Sequence, residues 1–263
     1  MQITQSTVDV GGARLYYEEA GSGRPLVLIH GFTFDMRMWD DQFEPFAQYF
    51  RVIRYDVRGY GRSSPPTSEP YSHADDLKAL LDQLGISRAN LLGLSLGAAI
   101  AINFTLTYPT MVSALVLADA VLWGHSWVET ESGDVWRAGR EAGIREAKRL
   151  WLWHPMFDAA RENPNVAGRL SRMVADYSGW NWENDDPGIY PDPPDSQRIG
   201  KITAPTLAIV GARDIPDFHV IADTLSHTIP NARKVALQGV GHMCNMEDPE
   251  AFNEVVLTFL KGG

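Results

Sequence analysis

The chain has 263 residues, 44% of them hydrophobic and 21% charged, enough for one large domain or a core with an insertion. Its formal net charge of −10 argues against nucleic acid and anionic membrane surfaces as partners. A single cysteine, Cys244, leaves no intrachain disulfide and no cysteine-based metal site, and no run reaches the roughly 18 apolar residues of a membrane span. The polar start, Met1 to Gln5, lacks the basic and apolar regions of a signal peptide, so the expectation is a cytoplasmic protein.

Residues 7–10 and 13–19 alternate apolar and polar around Gly11-Gly12, the pattern of a hairpin with one wet face. Residues 25–29 are continuously apolar, as in a strand covered on both faces, and run into His30-Gly31-Phe32. Met36, Met38, Trp39, Phe43 and Phe46 predict a helix over 35–49 that is interrupted near Pro45. A strand over 52–55 leads into the Gly-rich turn Asp56 to Ser63 and a proline-rich stretch, 64–70. An amphipathic helix follows over 72–84, with Ser72 as N-cap, Asp75 and Asp76 in its first turn and Gly85 at its end. A strand over 89–92 and a small-residue helix over 96–106 flank Gly93-Leu94-Ser95-Leu96-Gly97, and a strand over 114–118 carries Asp119 at its tip.

The character changes at about residue 121. Seven of the eight tryptophans lie in 121–194, a segment with helical patterns over 135–152 and 166–177 and an acidic, proline-rich linker over 185–194. Strand and helix patterns then resume: strands over 206–210 and 234–237, helices over 216–227 and 249–260. The alternation predicts an α/β fold: a mostly parallel eight-stranded sheet with helices on both faces and an antiparallel edge. The expected organisation is a core in two parts, 1–120 and 195–263, with 121–194 as a helical cap over the carboxyl ends of the strands, where such sheets bind ligands.

The sequence Gly93-Leu94-Ser95-Leu96-Gly97 fits G-x-S-x-G in its required context, a strand before and a helix after. Ser95 is expected on a sharp turn, its hydroxyl at the positive end of a helix. A serine hydroxyl is a poor nucleophile without a base. His242, between glycine-rich residues past the last strand, is the candidate; His73, His125, His154, His219 and His227 lie on helices or in the cap, and His30 reads as structural. Asp214, just past the strand ending at Val210, is the candidate partner of His242, with Asp119 as rival and Asp217 as a weaker one. The backbone N–H groups of Leu96 and Phe32 are the candidate oxyanion donors. Trp123, Trp127, Trp153 and Met243 are expected at the substrate pocket, while Arg58, Tyr60 and Cys244 read as structural.

With these motifs, together with Pro205-Thr206 and Gly241-His242 through Glu247 and Pro249, the sequence resembles the α/β-hydrolase superfamily in its esterase, lactonase and cofactor-free perhydrolase branch. The likeness spans nearly everything outside 121–194; Ala98 departs from relatives that carry a second glycine there. It implies two-step acyl transfer with no metal and no organic cofactor. It implies a small-molecule ester or lactone as substrate. The Trp- and Met-rich segment 121–194 itself predicts an apolar pocket that accepts uncharged esters with short-to-medium acyl groups. Lactone or carbon–carbon bond hydrolysis and a ligand receptor on the same scaffold are the other readings. Serine at 95 sets the chain apart from haloalkane dehalogenases and epoxide hydrolases, which carry aspartate there.

Overall fold

Gly11 and Gly12 both adopt positive φ, 41° and 81°, and fold strand β1 (Ile3–Val10) back onto β2 (Ala13–Ala20). In the computed structural model, which describes residues 2–129 and 131–262, this hairpin forms one edge of an eight-stranded sheet. The other strands are β3 (Pro25–Ile29), β4 (Arg51–Tyr55), β5 (Ala89–Leu94), β6 (Val112–Ala118), β7 (Thr206–Gly211) and β8 (Ala232–Leu237). Their order is β1-β2-β4-β3-β5-β6-β7-β8; β2 pairs antiparallel with β1 and β4, and every other pairing is parallel. The inner strands β5 and β7 are buried at every position, which is why they read as unbroken apolar runs.

Helices α1 (Asp40–Ala47), α2 (His73–Gln83) and α3 (Leu96–Thr107) connect the first strands. Pro45 was expected to interrupt α1, yet it lies inside it. A proline strips the helix of one N–H, which leaves the carbonyl four residues earlier without a partner. Here that carbonyl, Asp41, accepts from Asn253 Nδ2 at 2.9 Å, so a tertiary contact replaces the missing bond.

Between β6 and β7 the described residues form five α-helices and no strand: α4 (Glu131–Glu141), α5 (Ile144–Leu152), α6 (Asp158–Glu162), α7 (Pro164–Asp176) and α8 (Trp180–Glu183). The single helix expected over 135–152 is two, because Gly143, at φ 88°, breaks it. The segment leaves and rejoins the core at one place: Ser196 donates its N–H to Trp123 O at 3.0 Å, and Asp217 accepts from the Val128 and Glu129 amides, both at 3.0 Å. Helices α9 (Pro216–Thr228), α10 (Cys244–Glu247) and α11 (Pro249–Lys261) complete the chain.

Candidate active site

Five neighbouring strands, β3, β5, β6, β7 and β8, end on the same edge of the sheet, and the loop after each carries one candidate residue. After β5, the glycines of the G-x-S-x-G turn are dictated by space. A Cβ on Gly93 would lie 2.2 Å from Gly97 O, and one on Gly97 would lie 2.0 Å from Ile29 O in the adjacent strand. Ser95 between them has φ 56° and ψ −116°, a strained conformation for a residue with a side chain. Its backbone is held there: the N–H donates to Ala118 O at 3.0 Å, and the carbonyl accepts from Ala98 at 3.0 Å and Val121 at 3.2 Å.

His242 follows β8 in a loop that has little freedom. A Cβ on Gly211 would lie 2.1 Å from Gly241 O, so the loops after β7 and β8 are in backbone contact. The Glu247 carboxylate accepts from the amides on both sides of the histidine, Gly241 at 2.7 Å and Met243 at 3.0 Å. Phe218 covers the imidazole at 4.4 Å between ring centroids. His242 Nδ1 lies 2.7 Å from Asp214 Oδ2, which leaves Nε2 as the nitrogen free to act as a base. Burial pushes the His242 pKa below the ordinary 6.5, opposed by the charges of Asp119 and Glu247. No hydrogen bond links Ser95 to His242 among the described residues; catalytic hydrogen bonds commonly close only in the substrate complex.

Asp119, after β6, belongs to the same cluster. Its Oδ1 accepts from Gly211 N–H at 2.8 Å, its Oδ2 is buried without a partner, and side-chain atoms of Asp119, Asp214 and His242 all lie within 4.8 Å of one another. Two buried carboxylates this close cannot both ionise freely. Burial first, and the Asp214 charge second, push the Asp119 pKa well up. Burial raises Asp214 as well, opposed by the neighbouring Asp119 side chain and by the Ile215 N–H, which donates to Asp214 Oδ1 at 2.7 Å.

The amides of Phe32, after β3, and Leu96, at the start of α3, have no acceptor among the described residues. Gly31 lies close under the site: a Cβ there would be 3.4 Å from Ser95 Cβ. His30 is fully buried; Nε2 accepts from Val57 N–H at 2.9 Å and Nδ1 donates to Gly31 O at 2.8 Å, so both nitrogens hold loops together. Arg58 is buried against Asp76, and burial pushes the Cys244 thiol well above its ordinary pKa.

Ser95 and Leu96 line a cavity of about 510 Å³ between the sheet edge and the 121–194 segment. Trp123 and Trp127 line it as expected, but Trp153 does not. It is 65% exposed on the outer surface, with the Arg161 guanidinium 5.0 Å from its ring centre. Trp151 takes the inward position and donates from Nε1 to Thr33 Oγ1 at 2.8 Å. Residues two apart in a helix point to different faces, and Ile144, Ala147 and Trp151 form the apolar stripe of α5; that spacing was the available signal. Trp136 also lines the cavity, stacked on Phe32 at 5.7 Å. Met243 is fully buried in the core and does not reach the cavity, whereas Tyr60, read as structural, is on its wall.

The wall is not uniformly apolar. Glu129 accepts from Ser132 N–H at 2.9 Å and Ser132 Oγ at 3.0 Å, and its Oε1 lies 3.0 Å from His154 Nε2; all three residues line the cavity. Elsewhere on the wall, Asp186 accepts from Tyr71 OH at 3.0 Å. Sequence reasoning placed none of these four polar residues at the site, because no motif marks them.

A family model described as alpha/beta hydrolase fold matches residues 24–249, and the chain belongs to that family. It is 27% identical over 256 residues to carboxylesterase YbfK of Bacillus subtilis, covering 90% of this chain and 80% of that one. It is 30% identical over 263 residues to a 2-hydroxy-6-oxononadienedioate/2-hydroxy-6-oxononatrienedioate hydrolase of Cupriavidus pinatubonensis, covering 94% and 90%. Among solved structures, the enol-lactonase from Burkholderia xenovorans superposes with a TM-score of 0.84 at 26% identity, covering 97% of this chain and all of that one. Among the described residues no helix is long and apolar enough to cross a membrane.

Proposed function

We propose that this α/β-hydrolase cleaves carboxylic esters through an acyl-enzyme on Ser95. The observation that carries the reading is the 2.7 Å Asp214–His242 bond beside a serine held at φ 56° on the floor of a cavity. His242 Nε2 takes the Ser95 proton as Oγ attacks the carbonyl carbon; Asp214 holds the imidazole and stabilises its charge. The amides of Phe32 and Leu96 donate to the developing oxyanion. The tetrahedral species collapses, His242 protonates the leaving alcohol, and water attacks the acyl-enzyme with His242 again as base. Segment 121–194 acts as the cap. A cavity of about 510 Å³ suits small molecules with short or medium acyl groups.

The second reading is lactone hydrolysis by the same residues, favoured by the likeness to the enol-lactonase. The test is turnover of p-nitrophenyl esters of two to eight carbons, set against a lactone panel, with organophosphate labelling followed by peptide mapping. Label at Ser95 and ester turnover support the proposal. Label elsewhere rejects Ser95 as nucleophile; turnover of lactones but not of esters moves the protein to the second reading.

A further inference from the structure

The cavity walls carry an unbalanced charge. Two carboxylates, Glu129 and Asp186, line it, and among the described lining residues there is no lysine or arginine. Nor do its histidines supply a cation. Burial holds His73 at about 3, and it pushes His154 below the ordinary histidine value despite the adjacent Glu129. Glu129, by contrast, stays ionised: although burial opposes it, the bonds from Ser132 and His154 bring its pKa below the usual carboxylate value.

The rest of the wall is largely aromatic, with Trp123, Trp127, Trp136 and Trp151 from the cap segment. Aromatic faces carry negative potential and attract cations, most strongly where water is excluded. Carboxylates and indoles on one wall act with the same sign. A substrate carboxylate entering here would lose its hydration beside Glu129 and find no basic side chain in return. An ammonium group would instead meet both a carboxylate and aromatic faces.

We infer that the cavity selects substrates carrying an ammonium or quaternary ammonium group and rejects carboxylates. This rests on the esterase reading only where it says which molecules are turned over; the selection among ligands does not depend on chemistry at Ser95.

The test therefore separates binding from turnover. In the Ser95→Ala protein, tryptophan fluorescence titrations compare choline, its neutral carbon isostere 3,3-dimethylbutan-1-ol, and the anion 3,3-dimethylbutanoate. Choline is expected to bind about tenfold more tightly than the alcohol, the scale of one desolvated cation–aromatic contact, and the anion most weakly. Glu129→Gln and Asp186→Asn, each made separately with its melting temperature checked, should narrow that preference. Asp186→Asn leaves the Ser132–Glu129–His154 contacts intact, so it reports even where Glu129→Gln disturbs the cap. Equal binding of choline and the alcohol, or a preference that neither substitution changes, overturns the inference.

With the wild-type protein, acetylcholine is compared with 3,3-dimethylbutyl acetate. Turnover of both with equal kcat/KM leaves the hydrolase reading intact and overturns the selection proposed here. Preferential choline binding with no turnover of either ester upholds the selection and counts against the esterase reading.

Discussion

The sheet edge and the segment above it solve the same problem, holding side chains around a cavity, by different means. At the sheet edge, backbone sets the geometry. Gly93, Gly97 and Gly211 sit where a Cβ would come within about 2 Å of a neighbouring carbonyl, so strands and loops are locked together by their main chains. In 121–194, side chains set it: Trp151 reaches Thr33, Arg37 meets Asp176 at 2.8 Å, and Tyr60 stacks on Tyr177 at 5.3 Å. The edge is consequently intolerant of small changes and specific in its chemistry. On the function proposed here, exchanging side chains in the segment should have graded effects on the choice of substrate.

The sharpest break of this comparison is Ser95→Ala. It should keep the fold, measured by melting temperature, and lower kcat by about 10⁶-fold if the residue acts as in comparable triads. A mutant with near wild-type turnover would remove Ser95 from the chemistry. Next come the two acids of the edge. Asp214→Asn should lower kcat by roughly 10⁴-fold, because an amide favours the wrong histidine tautomer. Asp119→Asn should cost far less, since Asp214 and not Asp119 is hydrogen-bonded to His242 Nδ1. The opposite ranking would transfer the orienting role to Asp119.

A smaller effect is the pH profile. The base must be neutral, and burial lowers the His242 pKa, so kcat/KM should stay high as pH falls through 6.5 and drop only below it. An acid limb centred above 6.5 would mean that the ion pair with Asp214 dominates over burial. The smallest effects belong to the segment. Trp136→Ala and Trp151→Ala should raise KM for small esters and broaden the accepted acyl length. Trp153→Ala, on the outer face, should leave the chain-length profile of p-nitrophenyl ester kcat/KM unchanged. A change at Trp153 equal to that at Trp151 would show that the segment shifts as a unit rather than residue by residue.

What could be read from the sequence alone follows from short-range rules. Buried parallel strands are continuous apolar runs, turns declare themselves by glycine, and a parallel sheet delivers every strand's carboxyl end to one edge. Those rules set out the eight strands and brought Ser95, Asp214 and His242 to the same edge, along with Asp119 as a competitor. The tertiary structure alone decided which carboxylate meets His242 Nδ1, because 95, 119, 214 and 242 converge only through packing of loops far apart in the chain. It also decided that Asn253 supplies the bond Pro45 lacks, that Gly143 splits one expected helix into two, and that Trp151 rather than Trp153 faces inward. The charge of the cavity was hidden for the same reason. Glu129 and Asp186 lie in stretches that look like ordinary solvated surface, and only the folded segment places them on the cavity wall.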